Sequence, residues 1–451
     1  MGTEISLTIK EAILDWSKNS LGYDHGKLFQ PSDKYVRPPT LQELEYHGDD
    51  EDYLHSDDGI LYRSSFRRKL KDVISRLDLL GFTLENAETE YNFLSNKIHE
   101  ESEFRSEKLK ELYGEMPTSM NFSEFVNFVK SYNLCDLEHE YDLEESREER
   151  KEKLEKIFDE CVIHRIPRYG IGFPDSYTVR TCFIDLINNF HPYTTLRILA
   201  ENPVNLNEYV EWDYGPLVSN GWANIQDVKA GADRLEKYLV ATEGSSDAHV
   251  LERAFSLLKP DVKDFFKFID MKTGHPFPGT GNLLKFADGL VKIDVQNLII
   301  FLLDNDCEGI EAYNKIRKLS LPSNMACMHL PDHEDFNSFL AFGPHGLTRE
   351  NINGRAVAIE CFLDLNYSEY DEATIRWTNY KKEADAYQGS LENKDYYTRK
   401  FMDLKEDSSN FDKYNFSKMI RVLEAVIENC SAISSAIRLR QLEELYPDLN
   451  D

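Results

Sequence analysis

Between residues 235 and 331, short apolar segments alternate with segments of helical spacing, and few folds accept that rhythm. Residues 238–241 read as a strand and 247–258 as a helix. A second strand is expected over 265–269 with a helix over 282–290. A third, wholly apolar strand is expected over 298–303 with a helix over 308–319, and a fourth strand over 325–330. Strands that carry no polar alternation belong to a parallel sheet buried on both faces by helices.

In an open parallel sheet, ligands bind beyond the carboxyl ends of the strands, where the strand order reverses. Two of the expected strands run into acids there. The first leads into Thr242-Glu243-Gly244-Ser245-Ser246-Asp247, and the third into Asp304-Asn305-Asp306-Cys307-Glu308-Gly309. If the two strands are neighbours, Glu243, Asp304 and Asp306 converge, and Asp247 adds a fourth acid at the start of the next helix. Crowded carboxylates repel unless a cation compensates. An all-oxygen donor set suits magnesium, or manganese, better than zinc. Either piece alone has an ordinary reading as a turn after a strand. Both together, about sixty residues apart in one strand-helix rhythm, point to a metal site for phosphate chemistry.

Competing motifs fail on their own spacing. An EF-hand loop starting at Asp304 needs Glu at its twelfth position, which is Lys315. Gly279-Thr280-Gly281 begins a dinucleotide fingerprint whose third glycine position is Leu284. There is no G-x-x-x-x-G-K-[ST] loop and no G-x-S-x-G elbow. Seven cysteines without a C-x-x-C pair argue against both a zinc ribbon and a disulfide framework. His275, His329, His333 and His345 lie near the expected site, where loop and packing roles are the expectation.

A chain of 451 residues exceeds one typical core, and four parts are expected. These are an N-terminal α+β region over 1–115, a mainly helical region over 116–233, the parallel α/β domain over 234–345, and a helical region over 346–451. Residues 5–9 alternate as a strand, 61–115 look helical, and a helix over 122–129 would be capped by Asn121 or Ser123. The charged stretch 138–156 reads as an exposed helix or hinge. Trp212-Asp213-Tyr214-Gly215 and Asn220-Gly221-Trp222 read as aromatic turns suited to domain-interface packing, with base stacking as the alternative. The acids Asp49, Asp50, Glu51, Asp52, Asp57 and Asp58 form a solvated loop, with calcium binding as the alternative.

The net charge of −29 opposes unspecific binding to a polyanion, so any nucleic-acid site must be local, metal-bridged or completed by a partner. The longest apolar run, 298–303, is too short for a membrane, and the opening residues lack the order of a secretory signal. Gly2 with Ser6 fits a myristoylation pattern only formally. The expectation is a soluble, cytoplasmic protein.

Glu243-Gly244 followed by Asp304-x-Asp306-x-x-Gly309 resembles the toprim family, named for topoisomerases and primases. The resemblance implies a toprim core in which Glu243 serves as general acid/base and metal ligand while Asp304 and Asp306 hold Mg2+, with Mn2+ a possible substitute. The Glu-Gly-x-x-Asp form, with Asp247, is more similar to toprim nucleases of the overcoming-lysogenization-defect type. Residues 5–16, Trp212-Asp213-Tyr214-Gly215 and the stretch from Asn353 to Glu360 resemble bacterial proteins of the HEPN/Toprim-associated N-terminal domain family, thought to act in anti-phage defence. That resemblance adds Glu360 as a metal ligand and Lys394 as a phosphate-facing base. It implies a magnesium-dependent endonuclease acting on nucleic acid, RNA or tRNA before DNA. A regulatory protein, an ATPase or a homo-oligomer would restrain it. A topoisomerase or primase is disfavoured by the acidic balance and the missing zinc ribbon. A non-catalytic toprim scaffold or sensor is the alternative.

Overall fold

The structure is a computed structural model that describes residues 2–40, 43, 55–101, 103–114, 118–140, 145–269, 279–344, 346–367 and 371–445. The chain divides into two units, 1–232 with 438–451 and 233–437.

In the first unit, β1 (Glu4–Ile9) and β2 (Ala12–Lys18) form a hairpin. With β3 (Lys34–Val36), β4 (Ser64–Lys69) and β5 (Tyr209–Asp213) they make an antiparallel sheet ordered β2-β1-β5-β4-β3. The alternation expected at 5–9 is present, with Ile5, Leu7 and Ile9 buried. Helices inserted between β4 and β5 cover that face with Phe125, Phe128, Phe158 and Phe183. The helix Phe122–Lys130 starts at Asn121, whose side chain accepts from the Glu124 N–H while Glu124 accepts in return from the Asn121 N–H. Asp57 and Asp58 open the helix Asp57–Tyr62, whereas Asp49, Asp50, Glu51 and Asp52 lie outside the described residues.

Two expectations need correction in this unit. Residues 61–115 are not all helix, because Ser64–Lys69 is a strand between β3 and β5 in which Ser65, Phe66 and Arg68 are buried. Trp212 is neither in a turn nor at a domain interface. It is a strand residue, 1% exposed, stacked on Phe66 in the unit's own core. Its neighbours in sequence look like a turn because Tyr214-Gly215 begins a short helix directly after β5.

The second unit contains β6 (Tyr238–Thr242), β7 (Phe266–Phe268), β8 (Leu298–Leu303), β9 (Asn305–Asp306) and β10 (Met325–His329). Four of these form a parallel sheet ordered β10-β8-β6-β7. Helices Ser245–Leu258, Thr280–Lys292 and Cys307–Arg317 connect them, so the strand-helix rhythm appears as expected. β8 is buried at every position, which is why its sequence shows no polar residue.

Residues 346–451 are not mostly helical. Strands β11 (Phe339–Gly343), β12 (Gly346–Glu350), β14 (Ile375–Lys381) and β15 (Ala386–Leu391) build a second sheet ordered β12-β11-β14-β15, and β13 (Ala356–Val357) pairs antiparallel with β9. The helical expectation failed because these strands are short and half-exposed, with charges interrupting the alternation. The helices there are Lys394–Met402, Ser409–Lys413 and Ser417–Leu445. Among the described residues no helix is long and apolar enough to cross a membrane.

Candidate functional site

The chain leaves β6, makes β7 on one side of it, and returns to make β8 on the other. The direction of winding therefore reverses between β6 and β8, which are direct neighbours with Thr242 opposite Leu302. Both end in acids, so Glu243 and Asp304 emerge side by side at the switch point. The backbone N–H of Asp304 donates to Oε1 of Glu243 at 3.1 Å, which ties the two strand ends together.

The turns that follow hold the remaining acids. Gly244 N–H donates to Oδ2 of Asp247 at 2.8 Å, and the Ser246 hydroxyl donates to Oδ1 at 3.2 Å. Asp306 caps the helix Cys307–Arg317, its Oδ1 accepting from the Gly309 N–H at 2.7 Å. The glycine of the Asp-x-Asp-x-x-Gly pattern is explained by space, since a Cβ at Gly309 would lie 2.1 Å from the Asp304 carbonyl oxygen. Oδ2 of Asp306 accepts from the side-chain amide of Gln388 on β15.

Burial and mutual repulsion move all four carboxyls upward. Glu243 is pushed up to about 8, by desolvation first and then by the charges of Asp306, Asp247 and Glu308. Asp247 rises to about 6 through burial and the charge of Glu360, with Lys394 acting in the opposite direction. Asp304 rises well above the ordinary carboxylate range, through burial and then Asp247, Glu243, Asp306 and Glu360. Asp306 also rises by burial, opposed by its bonds from Gly309 and Gln388.

The carboxylates Glu243, Asp247, Asp304, Asp306 and Glu360, and Lys394 with them, thus fall within electrostatic reach of one another. Glu360 is 3% exposed on a short turn, Ile359–Phe362, which Lys418 pins by donating to the Cys361 carbonyl at 2.7 Å. Lys394 is exposed at the start of its helix. The histidines have other work. His329 packs edge-on against Tyr313 with centroids 5.0 Å apart, and His333 accepts from the Asp335 N–H, while His275 and His345 lie outside the described residues.

Sequence reasoning missed two residues. Asn305, fully buried between the two aspartates, donates to Asp332 at 2.7 Å and accepts from the Gly354 N–H at 2.9 Å. That grip seats the Asn353–Glu360 stretch against β9. Gln388 was missed because it lies 82 residues beyond Asp306 with no spacing rule to connect them.

The donor set fits a hard divalent cation in chemistry and charge, as all its candidate ligands are oxygens in a cluster carrying a repulsive surplus of acid. Among the described residues, however, no three His, Cys, Asp or Glu side chains already stand as a closed coordination set. A cation that keeps most of its waters does not require one, since magnesium commonly takes one or two carboxylates.

Comparison with known proteins adds one family. Neither the curated proteins nor the solved structures contain a match. The family model described as HEPN/Toprim N-terminal domain 1 matches residues 1–236, more than half of the chain and the whole of the first unit's continuous stretch. The protein belongs to the HEPN/Toprim N-terminal domain family.

Proposed function

We propose that the second unit is a toprim-type catalytic domain and that the protein is a magnesium-dependent nuclease hydrolysing phosphodiester bonds. The observation that carries this reading is the convergence of Glu243, Asp304 and Asp306 at the switch point, with Asp247 and Glu360 felt by the same group. Bound there, magnesium would polarise a phosphate oxygen and lower the pKa of water. Asp304 and Asp306 are the residues to hold it, with Asp247 and Glu360 behind them. Glu243 accepts the Asp304 N–H through Oε1, and the burial and neighbouring acids that raise its pKa make its ionised form, favoured once a cation offsets the surrounding charge, a stronger base toward an attacking water. Lys394, exposed and close enough to lower Asp247, faces the phosphate.

RNA, tRNA in particular, is the preferred substrate over DNA, and bacterial anti-phage defence is the biological setting. Both steps rest on family analogy. A partner protein, an ATPase or self-association would hold such an activity in check. The alternative reading is a toprim scaffold or sensor that binds metal without turnover.

The deciding experiment incubates supercoiled plasmid, linear duplex, single strands and total tRNA with the protein plus magnesium, manganese or EDTA. Wild type is compared with Glu243→Ala and Asp304→Ala. Metal-dependent cutting lost in both variants supports the nuclease. Metal binding without cutting of any substrate supports the scaffold. A folded protein that neither cuts nor binds metal removes both.

A further inference from the structure

Asp306 is held from two directions, and only one hold belongs to its own helix. Oδ1 takes the Gly309 N–H, whereas Oδ2 takes Nε2 of Gln388 from β15 in the other sheet. The far end of that same amide is anomalous. Oε1 of Gln388 is buried and has no hydrogen-bond partner. Leaving a buried acceptor unpaired costs about 1–3 kcal/mol, so native structures keep such atoms few and usually for a reason.

The backbone gives Gln388 no way to relieve this. The next residue, Gly389, donates its N–H to the Arg355 carbonyl at 3.2 Å. A Cβ on Gly389 would approach Trp377 and Ile375 to 2.6 and 2.7 Å, so β15 is packed tightly at that point. Rotating the amide would not help either, because the oxygen would then face the carboxylate of Asp306. The strand holds the side chain in place, Asp306 fixes its orientation, and one acceptor remains free beside the acids.

We infer that Gln388 is a positioning residue of the carboxylate site, fixing Asp306 through Nε2 and presenting Oε1 to a water carried by a divalent cation bound there. The inference rests on the metal reading of the second unit. A hydrated magnesium or manganese ion keeps several waters, all of them hydrogen-bond donors, and an amide oxygen next to a ligand carboxylate is the complementary group. The same amide cannot serve as a base, so its contribution is to orientation and affinity.

The test measures binding of Mn2+ alone, by the loss of the free-ion paramagnetic resonance signal, on the full chain. Wild type is compared with Gln388→Met, Gln388→Ala and Asp306→Ala. All readings are taken well below the melting temperature of the least stable variant, so that affinity is read on folded protein. Gln388→Met keeps the volume and removes both polar ends. The expected result is a tenfold to hundredfold weaker Kd in both Gln388 variants, on the scale of lost outer-sphere partners. The metal-free melting temperature of Gln388→Met should be unchanged or slightly lower, since the bond to Asp306 is lost as the unpaired oxygen is removed. Wild-type affinity in Gln388→Met beside lost affinity in Asp306→Ala would overturn the inference and leave the metal site standing. So would a lower melting temperature with unchanged affinity, which marks a purely structural role. Absence of Mn2+ binding by the wild type would overturn both.

Discussion

Burial and four other acids all oppose the ionisation of Asp304. Asp304→Asn keeps the shape and removes one charge. Without metal this variant should be at least as stable as wild type at pH 8, and more stable by about 1 kcal/mol if the acid is ionised there. It should also lose the stabilisation that magnesium gives the wild type. Thermal melts with EDTA and with magnesium check both halves. His191, in the first unit, makes the opposite kind of prediction. Its ring lies against Phe82 and Tyr193, with Nδ1 accepting from the Tyr193 N–H, and burial followed by nearby positive charge pushes its pKa down to about 3. The unfolded chain takes up a proton below pH 6.5 and the folded one does not. Stability is therefore complete above 6.5 and is lost as pH falls towards 3, at up to about 1.4 kcal/mol per unit. Denaturant titrations at pH 7, 5 and 4 should give a smaller loss on acidification for His191→Phe than for wild type. Equal losses would show that His191 is not the group responsible.

The clearest elements to foresee were those whose pattern has one cause. β8 is apolar throughout because it is covered on both faces, and Glu243 and Asp304 could be placed because a strand end fixes where the next side chain points. β11, β12, β14 and β15 escaped notice because they are only partly buried, β12 burying none of its residues, and the exposed Arg376, Thr378, Asn379 and Tyr380 look like helix surface or loop. β4 was hidden by its two consecutive arginines, of which Arg68 turns inward to Asp33 at 2.8 Å. Within the site, Asp-x-Asp was legible while the residue at x was not, since no pattern states that Asn305 would join β9 to the stretch before β13. Asn305→Ala removes two hydrogen bonds made by a buried side chain and should cost about 2–3 kcal/mol. Deuterium uptake in peptides covering 353–358 should rise with it. Unchanged uptake there would mean that the pairing of β13 with β9 alone holds the segment.

For the molecule as a whole, 81 acids against 52 bases set the terms of any encounter with a polyanion. A basic protein that neutralises six to ten phosphates loses about 10³–10⁵ in affinity between 50 and 200 mM salt. For this chain, metal-dependent binding to nucleic acid should change by less than about tenfold over that range, because added salt also screens its own repulsion. A steep loss would reveal a basic surface that the charge balance conceals. The division into two units predicts a further asymmetry. Since every candidate ligand lies within 233–437, magnesium should raise the unfolding temperature of that unit, and calorimetry should record the shift only in the transition assigned to it. A variant such as Asp304→Asn would supply the assignment.

The bonds that hold the acids in place also limit their denticity. Oε1 of Glu243 is taken by the Asp304 N–H, both oxygens of Asp247 accept from the turn that carries it, and both oxygens of Asp306 are engaged by Gly309 and Gln388. None of these carboxylates can readily swing both oxygens onto one ion. Calcium, which favours six to eight ligands and bidentate carboxylates, is poorly served by such a set, whereas a small octahedral ion asks only for single oxygens and its own waters. The site should discriminate between the two ions by geometry, at a position where net charge alone would favour neither.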